Sequence, residues 1–439
     1  MTCTTSPKGA MLSPRAAKTA SALHRPWRFA PVQTYSASSN PSGLISFGSA
    51  SNALMQPAVA DFAATVPLTP DMFGYSYSTA GGARLRAAMA GHLNATFSPY
   101  APLEVEHVRV AAGATAVQCI LAFALASPGE GVLVPRPVYG RFELDFGNEM
   151  GVEVVYADTT PETCFLPDVV VEEMEAAVRR EMGRGLRVRA VMIVNPSNPL
   201  GRCYPRETLV AILRFCGRHK IHLVSDEVYG LSVFRSCEEM PGFTSVLSID
   251  PAGIIDPDLV HVEYGLAKDF ASSGLRLGAL VSRNAALQEA FSSVVRFHSP
   301  AGPSVAIAAA MFEDRVWHDE FIASSRRAIA GAYEFVTGRL REMGVGIVEA
   351  NAGLFVYIDL SSWLPPPEEE EGEYESDRER EFALAERFVE KGVFLHPGEE
   401  HCLAPGWFRL VYTQEEHIVA EGLRRIDDAL KNLPWRVSK

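Results

Sequence analysis

The chain has 439 residues, a net charge of −13, 47% hydrophobic residues and a mean hydropathy near zero. That length exceeds one small core and suits a large domain plus a smaller one. No run of about 18 apolar residues occurs, so no membrane span is expected. The acidic balance without a basic stripe argues against nucleic acid as a partner.

From the N-terminus, no acid precedes Asp61, whereas Lys8, Arg15, Lys18, Arg25 and Arg28 are basic. In charge this resembles a transit peptide. Pro7, Pro14 and Pro26 break any long amphipathic helix, and an apolar signal core is missing. A flexible arm lying on another subunit or domain is the preferred reading. Further on, short apolar runs alternate with amphipathic helices, the pattern of an α/β fold. Gly131 to Val134 predicts a strand ending at the turn Pro135-Arg136-Pro137, and Val152 to Tyr156 predicts another. Val169 to Glu181 has helical spacing. Val188 to Val194 predicts a strand stopped by Asn195-Pro196, and Thr208 to Cys216 a helix. Ile221 to Val224, Leu259 to Glu263 and Ala279 to Ser282 predict further strands. Continuous apolar strands of this kind are buried on both faces of a mostly parallel sheet.

After about residue 310 the texture changes. Val316 to Met343 predicts a long helix and Leu354 to Leu360 a strand. An insert at 364–381 opens with Pro365-Pro366-Pro367. Between Glu368 and Glu381 it carries nine acids and two bases. Prolines and like charges predict an exposed loop. Phe382 to Lys391 then reads as a helix, and Val393 to His396 and Phe408 to Val411 as strands. The expected division is 1–75 as an arm and part of the small domain, 76–310 as the large domain and 311–439 as the C-terminal small domain. The seven cysteines are dispersed, with no CxxC pair. They read as reduced thiols in a cytoplasmic compartment, and no Cys-ligated metal site is expected.

Ligands bind at strand ends in open α/β sheets. Several predicted ends here carry polar residues that contrast with the apolar strands before them. Asn195 and Asn198 follow one strand and Asp226 another. Lys268 lies five residues beyond a third, and Ser272-Ser273-Gly274-Leu275-Arg276 follows it. A lone Asp after a strand is more often a helix cap, and a lone Lys a solvated group. Their joint spacing carries the weight.

Together these residues resemble fold type I pyridoxal 5'-phosphate (PLP) enzymes of the class I/II aminotransferase family. In local wording they are nearest its 1-aminocyclopropane-1-carboxylate synthase branch. The motifs are Gly113-Ala114-Thr115, Asn195-Pro196-Ser197-Asn198-Pro199-Leu200-Gly201, Ser225-Asp226-Glu227-Val228-Tyr229, Lys268-Asp269, Gly274-Leu275-Arg276-Leu277-Gly278 and Pro405-Gly406-Trp407-Phe408-Arg409. The resemblance implies an α/β PLP-transferase fold with a mostly parallel seven-stranded-type sheet and a smaller α+β domain. It implies that Lys268 carries PLP as a Schiff base and then moves the Cα proton. Asp226 would partner the pyridine nitrogen, and Asn198 and Tyr229 the phenolic oxygen. Gly113, Ala114 and Thr115 with Arg276 would hold the phosphate, Tyr139 would stack on the ring, and Arg409 would clamp the substrate α-carboxylate. Tyr75 or Tyr77 would reach the phosphate of a second subunit in a homodimer.

Two departures from the family pattern matter. Gly265 and Ala267 occupy slots where the family has serines, so somewhat weaker PLP binding is expected. Ser51, in Gly48-Ser49-Ala50-Ser51-Asn52-Ala53-Leu54, stands where plant synthases have a glutamate. Serine lacks the charge that favours a sulfonium, which argues against cyclopropane synthesis from S-adenosylmethionine. The composite resembles PLP enzymes of fungal secondary metabolism on routes to sulfur-bridged cyclic dipeptide toxins. That implies transamination or carbon–sulfur cleavage by β-elimination. A PLP-fold regulator without catalysis is the other class, but such proteins carry a DNA-binding domain and no helix-turn-helix pattern occurs here.

Overall fold

The computed structural model describes residues 12–22, 34–367, 374, 376–398, 401 and 404–436. Seven strands form the larger sheet: β1 (Val108–Ala111), β2 (Gly131–Arg136), β3 (Glu153–Asp158), β4 (Val188–Val194), β5 (His222–Asp226), β6 (Val260–Gly265) and β7 (Gly278–Ser282). Their order is β1-β7-β6-β5-β4-β2-β3. β7 runs antiparallel to both its neighbours, and the other pairs are parallel. Successive side chains of one strand point to opposite faces. Thus Val191, Ile193 and Leu223 enter one apolar core, while Ala190, Met192, Val194 and Val224 enter the core on the other side. Burial on both faces explains why β4 reads as a continuous apolar run.

A second, antiparallel sheet contains β8 (Gly346–Val348), β9 (Phe355–Asp359), β10 (His396–Pro397) and β11 (Trp407–Val411), in the order β10-β11-β9-β8. The long helix Arg315–Glu342 precedes it, capped by Asp314 accepting from Trp317 N–H. The segment after Ile45–Ser46 lies along β11, with Val411 N–H donating to the Phe47 carbonyl and Ala53 N–H to that of Thr413. This brings residues 48–51 beside β11. Among the described residues, no helix is long and apolar enough to cross a membrane.

Four local expectations change. The turn expected at Pro135-Arg136-Pro137 is the end of β2, which pairs with β3 as far as Arg136. Pro135 lacks an N–H, but β4 pairs with β2 only up to Leu133, so no ladder bond is lost on that side. The strand expected over Val393 to His396 is split between two sheets: Val393–Phe394 pairs with Ile45–Ser46, and His396–Pro397 with β11. Pro14 opens the short helix Pro14–Ala22, where its missing N–H costs nothing; Pro7 and Pro26 lie outside the described residues.

Finally, the insert expected as loop over 364–381 ends in a helix, Asp377–Glu390. Ser376 accepts from Glu379 N–H, and Asp377 and Glu379 complement the positive end of the helix dipole. Glu381 is buried and accepts from Gly406 N–H, so this acid is a structural tie. Glu368 to Glu373 lie outside the described residues.

Candidate active site

A cavity of about 310 Å³ opens between the two sheets. Four segments converge on it: the carboxyl ends of β4 to β6, the start of the helix Ala114–Leu125, β11, and residues 48–51. Of the residues singled out from the sequence, Ala114, Thr115, Tyr139, Asn198, Asp226, Tyr229, Lys268, Arg276, Arg409 and Ser51 all line it. Gly113 sits directly behind Arg276.

The turn into the helix Ala114–Leu125 is shaped for an anion. Gly113 has φ +97°, and a Cβ there would lie 2.6 Å from Arg276 Nη2. A Cβ on Gly278 would lie 2.4 Å from Ala114 N. Two glycines therefore let the guanidinium, β7 and the first helical turn approach closely. Among the described residues no side chain caps this helix, so its first N–H groups are available to a phosphate. Gly265 shows why one family serine is missing: a Cβ there would lie 2.9 Å from the Leu277 carbonyl oxygen. Ser273, on the cavity wall, brings a hydroxyl back to the region.

Lys268 sits on the short helix Leu266–Asp269 immediately after β6. Its Nζ donates to the Ala50 carbonyl at 2.7 Å and lies 5.8 Å from the centre of the Tyr229 ring. Burial, aided by the charges of Arg409 and Arg276 and opposed by Asp226, lowers its amine to about 8. A substantial neutral fraction near neutral pH suits a nucleophile and base. Asp226 ends β5 and accepts from Val228 N–H at 3.2 Å. Burial pushes its carboxyl above the ordinary range, against the pull of that hydrogen bond and of Lys268. A cationic ring nitrogen placed against it would restore the carboxylate.

Arg409 is buried on β11, opposite His396 and Tyr357. It donates to Asn198 Oδ1 at 2.9 Å and to the Gly48 carbonyl at 2.6 Å. The Ser51 hydroxyl accepts from Gln56, and its carbonyl accepts from Thr413. Tyr75 and Tyr77 do not line the cavity. Tyr75 is fully exposed, whereas Tyr77 packs on the apolar core.

Sequence reasoning missed Gln118, Arg141 and His396 on the cavity wall. Gln118 donates to Glu263 at 3.2 Å, and its buried Oε1 has no partner among the described residues. Arg141 lies two residues after Tyr139, a spacing that could have marked it. Nothing in the sequence flags the other two. Elsewhere, the ligand atoms of Cys119, Glu149 and His298 lie within 4.8 Å of one another, a grouping that cysteine spacing did not suggest.

Residues 55–426 match the family model for aminotransferase class I and II. The chain is 32% identical over 430 residues to the bovine 1-aminocyclopropane-1-carboxylate synthase-like protein 1, covering 92% of this chain and 79% of that one. It is 31% identical over 399 residues to 1-aminocyclopropane-1-carboxylate synthase 1 of indica rice, covering 85% and 78%. Among solved structures, a Thermus thermophilus aspartate aminotransferase tetra mutant with tryptophan superposes with a TM-score of 0.74 at 23% identity, covering 96% of this chain and all of that one.

Proposed function

The chain belongs to the class I and II aminotransferase family, whose members depend on PLP, and from that membership we propose that it acts at the Cα of an amino acid. The convergence of Lys268, Asp226, Arg409 and the Gly113 turn on one cavity carries this reading. The donor set fits the cofactor: an amine of lowered basicity, a buried carboxylate, and an uncapped helix start beside a guanidinium.

Bound here, PLP would supply an electron sink for a bond at Cα. Lys268 would hold it and afterwards take and return the Cα proton. Asp226 would keep the pyridine nitrogen protonated, and Asn198 and Tyr229 would donate to the phenolic oxygen. Arg276, Thr115 and the first-turn N–H groups would hold the phosphate, and Tyr139 would cover the ring. Arg409 would orient the substrate through its α-carboxylate.

The finer reading is β-elimination of a sulfur group from an S-substituted cysteine, set in fungal secondary metabolism. Two observations favour it over a sulfonium substrate. Among the described residues lining the cavity Asp226 is the one acid, and the wall from Gly48 to Ser51 consists of small side chains without charge. Transamination would use the same residues. Incubation with an S-alkyl cysteine decides between them. Elimination releases pyruvate, ammonia and free thiol; formation of the intact 2-oxo acid without thiol would establish transamination. Lys268→Ala should abolish either reaction, by at least about 10²-fold.

We also infer a homodimer, supported by the exposed aromatic residues Phe73, Tyr75 and Phe297. Tyr75, which points away from its own core, is the candidate to reach a neighbouring phosphate. The free thiols Cys119, Cys164, Cys203, Cys216 and Cys237 support a reducing, cytoplasmic location.

A further inference from the structure

Outside the cavity, three side chains of metal-ligating type meet, each from a different part of the chain. Cys119 is buried on the helix Ala114–Leu125. Glu149 follows the helix Phe142–Gly147, and His298 ends the short turn Val295–His298. The Cys119 thiol donates to Glu149 Oε2 at 3.2 Å. A ring nitrogen of His298 completes the group, and all three ligand atoms lie within 4.8 Å of one another. None of the three residues lines the cavity.

These distances suit a small cation. Zinc binds sulfur at about 2.3 Å and imidazole nitrogen or carboxylate oxygen at about 2.0–2.2 Å, so ligand atoms of a tetrahedral site stand roughly 3.3–3.6 Å apart. The Cys119 and Glu149 atoms already have nearly that spacing. Closing the rest falls to Glu149 and His298, which are exposed and half-buried and so can turn at little cost. The field is also favourable, because Asp145 adds its negative charge to that of Glu149 at the thiol. The cation at this place, Arg15, donates to the main-chain carbonyl of Glu149 at 3.0 Å.

The donor set selects the metal. Magnesium and calcium take oxygen ligands, whereas a thiolate with an imidazole and a carboxylate suits zinc. We propose that Cys119, Glu149 and His298 form a zinc site with three protein ligands and one position open to water. On binding, a bond forms between Cys119 Sγ and the ion. The S–H bond breaks, and its proton leaves to solvent. Burial and Glu149 push the thiol up to about 12, so without the ion it stays protonated.

The ion would tie together three segments behind the Gly113 turn. Cys119 adjoins Gln118, which faces the cavity. The His298 carbonyl accepts from Ala112 N–H at 2.8 Å, one residue before Gly113. Cysteine spacing argued against a Cys-ligated metal because the ligands here are too far apart in sequence to make a spacing motif.

The test is zinc binding by the holoenzyme, freed of metal with a chelator and carrying Cys237→Ser to remove an exposed thiol. Dialysis against zinc should load about one ion per chain, with release of a proton. Cys119→Ser and His298→Ala should each weaken binding by about tenfold or more. Cobalt in place of zinc should show the ligand-field bands of a tetrahedral thiolate site, at wavelengths beyond the cofactor band, and Cys119→Ser should abolish them. Zinc should raise the thermal unfolding midpoint of the parent and not of Cys119→Ser. Should a variant at the buried cysteine fail to fold, Glu149→Gln on the surface must weaken binding as well. The site is overturned by a protein that takes up no zinc, by zinc held equally by the parent and all three variants, which marks an adventitious ion, or by cobalt bands that survive loss of the Cys119 sulfur. Each readout is independent of turnover and of the role of Lys268.

Discussion

At the scale of single residues, Gly113 shows how closely the proposed phosphate cradle is built. Its φ of +97° is strained for any other residue, and a Cβ would press on the Arg276 guanidinium. Gly113→Ala should weaken PLP binding about tenfold or more, or ~1.4 kcal/mol, as read by equilibrium dialysis against free PLP. Unchanged affinity would contradict the cradle. Lys268, Asp226 and Asn198 were legible in the sequence because each is a polar group set just beyond an apolar strand, whereas Tyr229 and Arg409 were marked only by the resemblance of their motifs to the family's. Gln118 and His396 were not, because a helix and a two-residue strand deliver them from elsewhere. The absence of a serine at Gly265 read as a lost phosphate donor. The structure adds the reason, a backbone carbonyl where the side chain would stand, and adds Ser273 nearby.

At the scale of elements, the strands that read most clearly are those buried on both faces. β4 was legible end to end, since tertiary burial and sequence pattern coincide there. β1 was not, being four residues at the edge of the sheet. The split of Val393 to His396 between two sheets depends on which partners approach, a long-range fact that no local pattern carries. The acidic segment misled for another reason. Its charge predicts a solvated loop, but Ser376 and the helix dipole recruit Asp377 and Glu379, and burial with a hydrogen bond recruits Glu381. His92 and His318, whose ring nitrogens lie 3.0 Å apart, were likewise hidden as neighbours, since they are far apart in sequence and on different helices.

At the scale of the whole molecule, the cavity exists because the segment from Phe47 to Ala53 folds back along β11 while β4 to β6 end opposite. A mostly parallel sheet was legible from alternating elements; the return of the N-terminal segment was not. The exposed face with Phe73, Tyr75 and Phe297 belongs to the same scale. In light-scattering chromatography the protein should run as a dimer, and Phe73→Asp with Tyr75→Asp should yield monomers of reduced activity. A fully active monomeric wild type would contradict the proposed dimer and its shared site.

The central claim is that Lys268 carries the cofactor. Borohydride reduction of the holoenzyme, followed by peptide mass analysis, tests it most directly. A pyridoxyl phosphate adduct on the peptide containing Lys268, and on no other lysine, is the predicted result. An adduct on a different lysine, or none from a protein that retains its visible band, would contradict it.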